Sequence, residues 1–392
     1  MTYSEKSKVP GGALVVVLAV LLFGCIVIGA LTIPRLLQSN PVAGNTPSAN
    51  ATAAPPKDAV AIEISSSNTK EDWMNAVVAQ FNSEQHTLVS GKPIFVNVTH
   101  VTSGGSQKSI LDGKSKPVVW SPGDQSWIDE ANRVWRDRNG KLLIPETCDP
   151  SILAPIGFAM WRPMAEALGW PDKPISWDDI AALSADPQGW ASKGHPEWGQ
   201  FKFGHTHPDY SNAGLLSMTA LAYSTVGKTE GLTASEVYSN VVVEAFRGVE
   251  LHTYHYGLQS RPLMKILAQR GPEYLHAVAT SEAETLKANA EFASTMRYPL
   301  VFIFPSKGTF WSEQPYCILD GDWVTDDQKE AAKVFQTYIL DKKQQELAIK
   351  YYLRPVDDSI PLHAPLTLED GTDPRVTRLS VPALQSPSAD VS

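Results

Sequence analysis

The chain has 392 residues, of which 43% are hydrophobic and 19% are charged, so it is long enough for two lobes and apolar enough to bury their cores. Its 33 Lys and Arg residues and 42 Asp and Glu residues give a net charge of −9, which argues against nucleic acid as a main partner because phosphate contacts need a basic face. Its 3 cysteines are too few for a disulfide scaffold or a four-thiolate metal site.

An uncharged apolar stretch occupies residues 13–33. A helix of about 20 such residues spans the hydrocarbon core of a bilayer, and Lys6 and Lys8 favour a cytoplasmic N-terminus for residues 1–12. We therefore expect a single-pass transmembrane anchor with the rest of the chain outside the cell. Two alternatives stay open: a cleaved signal peptide, whose apolar region would be shorter, and lipid modification of Cys25, which follows a glycine as in lipoprotein processing sites.

The segments that flank the expected folded domain are polar. Residues 34–58 are rich in Pro, Ala, Ser, Asn and Thr and show no apolar period, which is typical of a flexible linker between a membrane and a folded domain. At the other end, residues 356–392 are interpreted as a C-terminal extension that finishes in a polar tail.

Three units of strand, small polar loop and helix follow one another in the first part of the folded region. The strands are Val60–Ile64, Ile94–Thr99 and Pro117–Trp120, and the loops that follow them are Ser65–Thr69, Thr102–Ser106 and Ser121–Asp124. Consecutive units of this kind predict a parallel α/β sheet. Because ligands of open α/β sheets lie beyond the carboxyl ends of the strands, all three loops are expected at one binding edge.

A fourth polar loop, Phe201–Gly214, precedes the predicted helix Leu215–Val226 and has the same arrangement. His205 and His207 raise the question of a metal site, but a His-x-His pair without a third ligand at a known spacing is a weak signal, so no metal is predicted. The sequence contains no Gly-x-Ser-x-Gly elbow and singles out no nucleophile, so we predict neither an enzyme with catalytic residues nor a cofactor.

Five segments of the chain resemble bacterial extracellular solute-binding proteins, the receptors that serve importers of the ATP-binding cassette (ABC) class. They are Ser65–Lys70 with Trp73, Val119–Pro122, Ala159–Trp170, Phe203–Gly214 and Gly308–Ser312. The resemblance extends over roughly Val60–Pro355 and is greatest for the branch that is often joined to a von Willebrand factor type A domain. The metal-binding Asp-x-Ser-x-Ser motif of that domain does not occur in this sequence, so an adhesion role is not expected.

The resemblance implies a two-lobed α/β fold of the type II periplasmic-binding class, with a ligand cleft between the lobes and hinge closure around the ligand. The first lobe would comprise residues 59–151 and 300–355, and the second lobe would comprise residues 152–299. The chain would cross between the lobes near residues 152–157 and again near residues 282–299.

The same resemblance implies which residues contact the ligand. From the first lobe these are Ser66, Ser67, Gly105, Ser106 and Ser121. From the second lobe they are Thr206, His207, Ser211, Asn212 and, where the chain returns to the hinge, Glu282. Each of these residues could instead cap a helix or stabilise a turn.

The resemblance also places two cysteines near the hinge. Cys148 would lie just before the first crossing, and Cys317 would lie in the returning part of the first lobe. Outside the cytoplasm the two could form a disulfide bond. The alternative is that both are buried free thiols.

Together these features predict a membrane-anchored extracytoplasmic protein that captures a small polar solute or an oxyanion in an inter-lobe cleft and delivers it to an ABC permease. Two other functions stay open: a surface scaffold or sensor that binds protein partners, and a hydrolase on a similar two-lobed fold. Hydroxyls, glycine turns and helix N-termini suit an oxyanion and a polar organic molecule equally, so the identity of the solute is not predicted.

Overall fold

A computed structural model describes residues 55–144 and 148–388 of the chain. The predicted anchor at residues 13–33 and the alternative lipid site at Cys25 lie outside the described residues, as does most of the linker. Among the residues that are described, no helix is both long and apolar enough to cross a membrane. Two five-stranded sheets, one for each lobe, organise this part of the chain.

The first sheet forms the centre of lobe 1. Its strands are β1 (Val60–Ser66), β2 (Ile94–His100), β3 (Val119–Ser121), β4 (Asp149–Pro150) and β10 (Pro315–Ile318). Their order in the sheet is β2-β1-β3-β10-β4. β1 pairs in parallel with both β2 and β3, whereas β10 pairs antiparallel with β3 and β4. The three predicted strand–loop–helix units therefore form a parallel sheet, and their loops share one edge.

A helix follows each parallel strand of lobe 1, as the strand–loop–helix pattern predicts: α1 (Glu71–Glu84), α2 (Ser103–Leu111) and α3 (Gln125–Asn139). Two more helices, α11 (Asp326–Leu340) and α12 (Lys342–Lys350), come after the antiparallel strand β10. In α1, Trp73, Val77 and Phe81 recur every four residues, so they share one helical face and are fully buried against the sheet. The short 3₁₀ turn Asn68–Lys70 joins β1 to α1.

Lobe 2 contains the second sheet. Its strands are β5 (Ile156–Trp161), β6 (Phe203–Thr206), β7 (Thr253–Gly257), β8 (Ala277–Ser281) and β9 (Leu300–Ile303). Their order is β7-β6-β8-β5-β9. The helices are α4 (Arg162–Leu168), α5 (Trp177–Ala185), α6 (Asn212–Val226), α7 (Ala234–Val237), α8 (Asn240–Glu250), α9 (Ser260–Arg270) and α10 (Glu282–Phe292), with 3₁₀ turns at Gly189–Lys193 and Pro196–Trp198. Edge-to-face packing of Phe158 on Trp177, at 4.6 Å between ring centroids, lies within its core.

The chain returns from lobe 2 to lobe 1 later than the resemblance to solute-binding proteins implies. Leu300–Ile303 was expected in lobe 1, but this strand pairs antiparallel with β5 in the sheet of lobe 2. The return therefore lies between Ile303 and Pro315, after the predicted segment 282–299. Four consecutive buried apolar residues carry no alternation, so the sequence alone does not indicate which sheet they join.

The C-terminal extension packs on the folded body over residues 356–388. The backbone N–H of Phe302 donates to the carbonyl oxygen of Gly371 at 2.7 Å, and that of Thr309 donates to Pro382 at 2.9 Å. Leu384 is buried in the core of lobe 2. This part of the predicted extension therefore belongs to the folded domain and is not a free tail.

Cys148 and Cys317 form a disulfide bond, with their Cα atoms 5.1 Å apart. Cys148 directly precedes β4, and Cys317 lies within β10, so the bond joins two neighbouring strands of lobe 1. Of the two alternatives for these cysteines, the structure contains the paired form.

Acidification below neutral pH is expected to destabilise the domain through His276. Its Nδ1 accepts hydrogen bonds from Trp190 Nε1 at 2.9 Å and from the backbone N–H of Lys202 at 3.1 Å. Burial, and then the nearby charge of Lys202, lower the pKa of His276 from 6.5 to about 4. Between these two pKa values the unfolded chain binds a proton that the folded protein does not, so stability falls as the pH falls through this window, by about 2 kcal/mol from pH 7.5 to pH 5.

This expectation is tested by urea unfolding of the wild-type protein and His276→Gln between pH 7.5 and pH 5. The variant should show a shallower loss of stability with acidification, because its side chain does not titrate. His363→Gln, at an exposed position, is the matched control and should retain the wild-type slope. Equal slopes for wild type and His276→Gln would contradict the assignment to His276.

Candidate ligand site between the two lobes

Two of the predicted serines lie together where the parallel strands of lobe 1 end. Ser67 follows β1 and Ser121 ends β3, and the backbone N–H of Ser67 donates to the carbonyl oxygen of Ser121 at 2.9 Å. Both side chains are buried. The hydroxyl of Ser121 has no hydrogen-bond partner among the described residues. The carboxyl edge of the sheet thus presents buried hydroxyl groups, as the loop pattern predicts.

Asn212, the first residue of α6, is a residue of lobe 2 that contacts lobe 1. Its Oδ1 accepts a hydrogen bond from Trp127 Nε1 of lobe 1 at 3.0 Å, and its Nδ2 donates to Ser312 Oγ at 3.0 Å. A Cβ atom on Gly123 of lobe 1 would clash with the Asn212 side chain, so the glycine permits this close approach. Asn212 therefore bonds to lobe 1 and to the return segment at once.

The return segment contributes two residues that the sequence reasoning missed, Ser312 and Gln314. Ser312 Oγ donates to the carbonyl oxygen of Gly123 at 2.8 Å and accepts from Gln314 Nε2 at 2.9 Å. Both residues have left-handed backbone conformations, with φ of 39° and 48°. Such conformations are uncommon outside glycine and are found where the surroundings hold the chain firmly. The segment between the lobes is thus held by hydrogen bonds rather than by a regular element.

Lys70 is the third residue that was missed as a site residue. It ends the 3₁₀ turn after β1, and its Nζ donates to Ser67 Oγ at 2.9 Å, Ser121 O at 2.8 Å and Gln314 Oε1 at 3.0 Å. Its side chain is 0% exposed, and this burial lowers the pKa of the Lys70 ammonium group well below its usual range. A lysine at the start of a helix is more often solvated, so the sequence carries no signal for its burial.

These residues form one hydrogen-bonded group, which we call the lobe-contact cluster. It consists of Ser67, Lys70, Ser121, Gly123, Asn212, Ser312 and Gln314. Cavities of about 440, 320 and 240 Å³ occur elsewhere, and none is lined by a residue of the cluster. The lobes touch at the cluster, so a solute would reach it when they separate.

A second contact between the lobes involves Gly104 in the first turn of α2. Its N–H lies 3.3 Å from the carbonyl oxygen of Tyr210, and a Cβ atom at this position would clash with the carbonyl oxygen of Asp209. The neighbouring predicted residues face lobe 1 instead. The N–H of Gly105 donates to Thr102 Oγ1 at 3.3 Å as part of the helix cap, and Ser106 Oγ accepts from Trp120 Nε1 at 2.9 Å.

Thr206, His207 and Ser211 precede Asn212 in the same loop, and among the described residues no recorded hydrogen bond joins their side chains to lobe 1. Thr206 Oγ1 donates to Ser211 Oγ at 2.8 Å, and both side chains are buried. His207 is half exposed, and its Nδ1 accepts from the backbone N–H of Asp209 at 3.3 Å. The described residues include no group of three or more His, Cys, Asp and Glu side chains that could hold a metal ion.

Ser66 and Glu282 are the remaining predicted residues. The Ser66 hydroxyl lies 3.4 Å from the carbonyl oxygen of Ser67. Glu282 is fully buried at the start of α10, and its two carboxylate oxygens accept from Arg354 at 2.7 and 2.8 Å and also from the Thr372 hydroxyl. Glu282 is therefore engaged in an ion pair and is not part of the lobe-contact cluster.

Ion pairs also join the lobes at the N-terminus of α1. Lys287 Nζ of α10 lies 3.0 Å from Asp72 Oδ2 and donates to the carbonyl oxygen of Thr69 at 3.2 Å. Arg261 of α9 lies 3.7 Å from the same carboxylate. Burial raises the pKa of Asp72, but the charges of Lys287 and Arg261 outweigh it, so the pKa lies below its ordinary value. Asp72 is thus held as an anion between two cations of lobe 2.

The fold is similar to that of solved binding proteins. The sulfate-binding protein SubI from Mycobacterium tuberculosis H37Rv is 14% identical with a TM-score of 0.53, over 76% of this chain and 88% of that chain. A periplasmic thiamin binding protein is 14% identical with a TM-score of 0.56, over 85% of this chain and 92% of that chain. At these identities the similarity shows a shared fold, the two-lobed architecture of type II periplasmic binding proteins.

The sequence comparison is more specific. None of the curated proteins matches the sequence. Residues 62–354, more than half of the chain, match the family model described as bacterial extracellular solute-binding protein. This range begins within β1 and ends with Arg354, so it includes both sheets and every residue of the lobe-contact cluster. The chain therefore belongs to the family of bacterial extracellular solute-binding proteins.

Proposed function

We propose that this protein captures a small polar solute or an oxyanion between its lobes and delivers it to an ABC-type importer. The lobe-contact cluster carries the proposal, because Asn212 of lobe 2 bonds to Trp127 of lobe 1 and to Ser312. Ser312 belongs to the same hydrogen-bonded group as the buried residues Ser67 and Ser121, which lie at the carboxyl ends of β1 and β3. Ligands of open α/β sheets bind at this edge. A solute between the lobes would join them through these groups and favour closure.

The solute contacts that we propose are the cluster side chains and their neighbours. Ser67, Ser121 and Asn212 supply two hydroxyls and an amide, which recognise polar groups without demanding one kind of solute. Ser121 is the most informative of the three, because its buried hydroxyl has no partner to lose among residues 55–144 and 148–388. Buried polar groups without a partner are rare and point to a function.

Capture is tested by thermal unfolding of the full chain with a panel of solutes. The panel contains sulfate, thiamin and fructose 6-phosphate, which are named for structures of this fold, together with phosphate and glucose as a further anion and a neutral solute. A solute present at 100 times its Kd adds about 2.7 kcal/mol of stability, which raises the Tm by several degrees. For that solute, Ser121→Ala should weaken affinity about tenfold and leave the Tm of the protein alone unchanged, because no hydrogen bond is lost.

Solute capture would be contradicted if no solute of the panel raised the Tm, or if the protein chemically converted a bound solute. Unchanged affinity in Ser121→Ala would remove that hydroxyl from the site. Thr337→Ala is the matched control, since its exposed hydroxyl lies on α11 and bonds only to the preceding turn at 3.1 Å.

We propose further that residues 13–33 anchor the domain in the membrane with the lobes outside. Support comes from the length of the uncharged apolar stretch and from Lys6 and Lys8 before it. The full chain should stay with membranes after alkaline extraction, whereas a chain lacking residues 13–33 should not. Membrane retention that is lost in Cys25→Ser would instead indicate a lipid anchor.

A further inference from the structure

Lys70 is the most unusual charged residue of the lobe-contact cluster. Its side chain is completely buried, and its three hydrogen bonds go to a hydroxyl, a backbone carbonyl and an amide oxygen, on Ser67, Ser121 and Gln314. All three acceptors are uncharged. These bonds satisfy the geometry of an ammonium group, but they do not supply the negative charge that would offset burial of a cation.

The carboxylate of Asp72, near Lys70 in the chain, is engaged with cations of lobe 2. Asp72 pairs with Lys287 at 3.0 Å and with Arg261 at 3.7 Å. Arg261 also lies 3.9 Å from Glu291. In the part of the chain that the structure describes, no ion pair involves Lys70. The nearby carboxylates therefore do not neutralise it.

The position of Lys70 favours a ligand as its counter-charge. The ammonium group lies 2.8 Å from the carbonyl oxygen of Ser121. The hydroxyl of Ser121 is fully buried and has no hydrogen-bond partner in the part of the chain that the structure describes. The side-chain amide of Asn212 reaches the same cluster from lobe 2 through Ser312. A neutral solute could accept hydrogen bonds from these groups, but only an anion would also compensate the buried charge.

We infer that the solute is an anion and that Lys70 provides its counter-charge, with the Ser121 hydroxyl donating to the same anionic group. This inference rests on the proposed function, because it names the class of solute that the lobes capture. The shared chemistry is a carboxylate or a tetrahedral oxyanion such as sulfate or phosphate. In a chain with a net charge of −9, which repels anions in general, a fixed cation at the site offsets that repulsion for a bound anion.

The test measures binding of defined probes to the full chain by titration calorimetry at constant ionic strength. Sodium sulfate, sodium phosphate and sodium succinate are the anionic probes, and glucose is the neutral probe. At least one anion should bind and glucose should not. Whether the binding anion is succinate or an inorganic ion identifies a carboxylate or a tetrahedral oxyanion as the recognised group.

Lys70→Met is expected to weaken binding of that anion at least a hundredfold, because it removes the only charge that the cluster offers while keeping the length of the side chain. Lys265→Met, at an exposed position on α9, is the matched control and should bind like the wild type. If Lys70→Met does not fold, Lys70→Gln, which keeps a donor toward Ser121, replaces it in the same measurement.

The outcomes separate this inference from the proposed function. Binding of glucose alone, or equal affinity of wild type and the Lys70 variant for an anion, would overturn the inference while leaving solute capture intact. Binding of none of these probes, with no shift from any solute of the wider panel, would overturn the proposed function itself. Loss of anion binding in the Lys70 variant but not in Lys265→Met supports both.

Discussion

Replacing Arg354 with methionine is expected to lower the free energy of unfolding by about 3–5 kcal/mol. Arg354 Nε and Nη2 donate to the two carboxylate oxygens of Glu282 at 2.7 and 2.8 Å, and both side chains are buried. Removing the guanidinium group leaves a buried carboxylate without its counter-charge, which costs more than the ion pair contributes when it is intact. Breaking this buried pair is therefore expected to lower the free energy of unfolding more than breaking an ion pair on the surface.

The location of the pair adds to the expected effect. Glu282 begins α10 of lobe 2, whereas Arg354 follows α12 of lobe 1. Arg354 also donates to the carbonyl oxygens of Val376 at 2.6 Å and Asp373 at 3.3 Å in the C-terminal extension. One side chain thus joins both lobes and the extension, so its loss should weaken the packing of residues 356–388 as well.

Urea unfolding of Arg354→Met, Glu282→Gln and the double variant measures this prediction. The double variant should recover part of the loss, because it buries no unpaired charge. Arg133→Met is the control: Arg133 pairs with Glu130 at 2.7 Å on the surface of α3 and should contribute less than about 1 kcal/mol. A cost for Arg354→Met as small as that of the control would contradict the prediction.

Local pattern predicts the parallel sheet of lobe 1 and the polar loops at its edge, whereas the two-lobed fold and the choice of site residues follow from the resemblance to solute-binding proteins. Alternating strands and helices specify the parallel sheet of lobe 1, and the ends of its strands mark Ser67 and Ser121. Asn212 follows from the same reasoning, since it lies in the polar loop before a predicted helix. The structure brings these three residues into one hydrogen-bonded cluster.

The site residues that the sequence does not predict have their partners far away along the chain. Lys70 is buried because Gln314, 244 positions further along the chain, covers it. Ser312 and Gln314 lie in a return segment without helical or strand periodicity, so no pattern singles them out. Glu282 is predicted as a ligand contact because it lies near the hinge, but its partner Arg354 is 72 positions away in the sequence. A single sequence does not show which distant residues pair with each other.

Replacing Gly104 with alanine is expected to keep the lobes from closing. Gly104 lies in α2 with an ordinary helical backbone, so alanine introduces no conformational strain there. Its Cβ atom would nevertheless clash with the carbonyl oxygen of Asp209 on lobe 2, and a backbone atom cannot move aside without moving the loop that carries it. The clash therefore acts on the lobe contact while α2 itself is unchanged or slightly stabilised.

Hydrogen exchange of the full chain, read by mass spectrometry, tests this prediction in the segments that meet across the contact. In Gly104→Ala, peptides that contain Gly123 and Asn212 should exchange at least tenfold faster than in the wild type, because their amides lose the protection of the opposite lobe. Gly248→Ala on α8 is the matched control, since a Cβ atom there meets no atom within 4 Å and its exchange should be unchanged. The solute found by thermal unfolding should bind the Gly104 variant at least tenfold more weakly, which equals about 1.4 kcal/mol. If Gly104→Ala had the same exchange rates and the same affinity for the solute as the wild type, Gly104 would not lie where the lobes close on a solute.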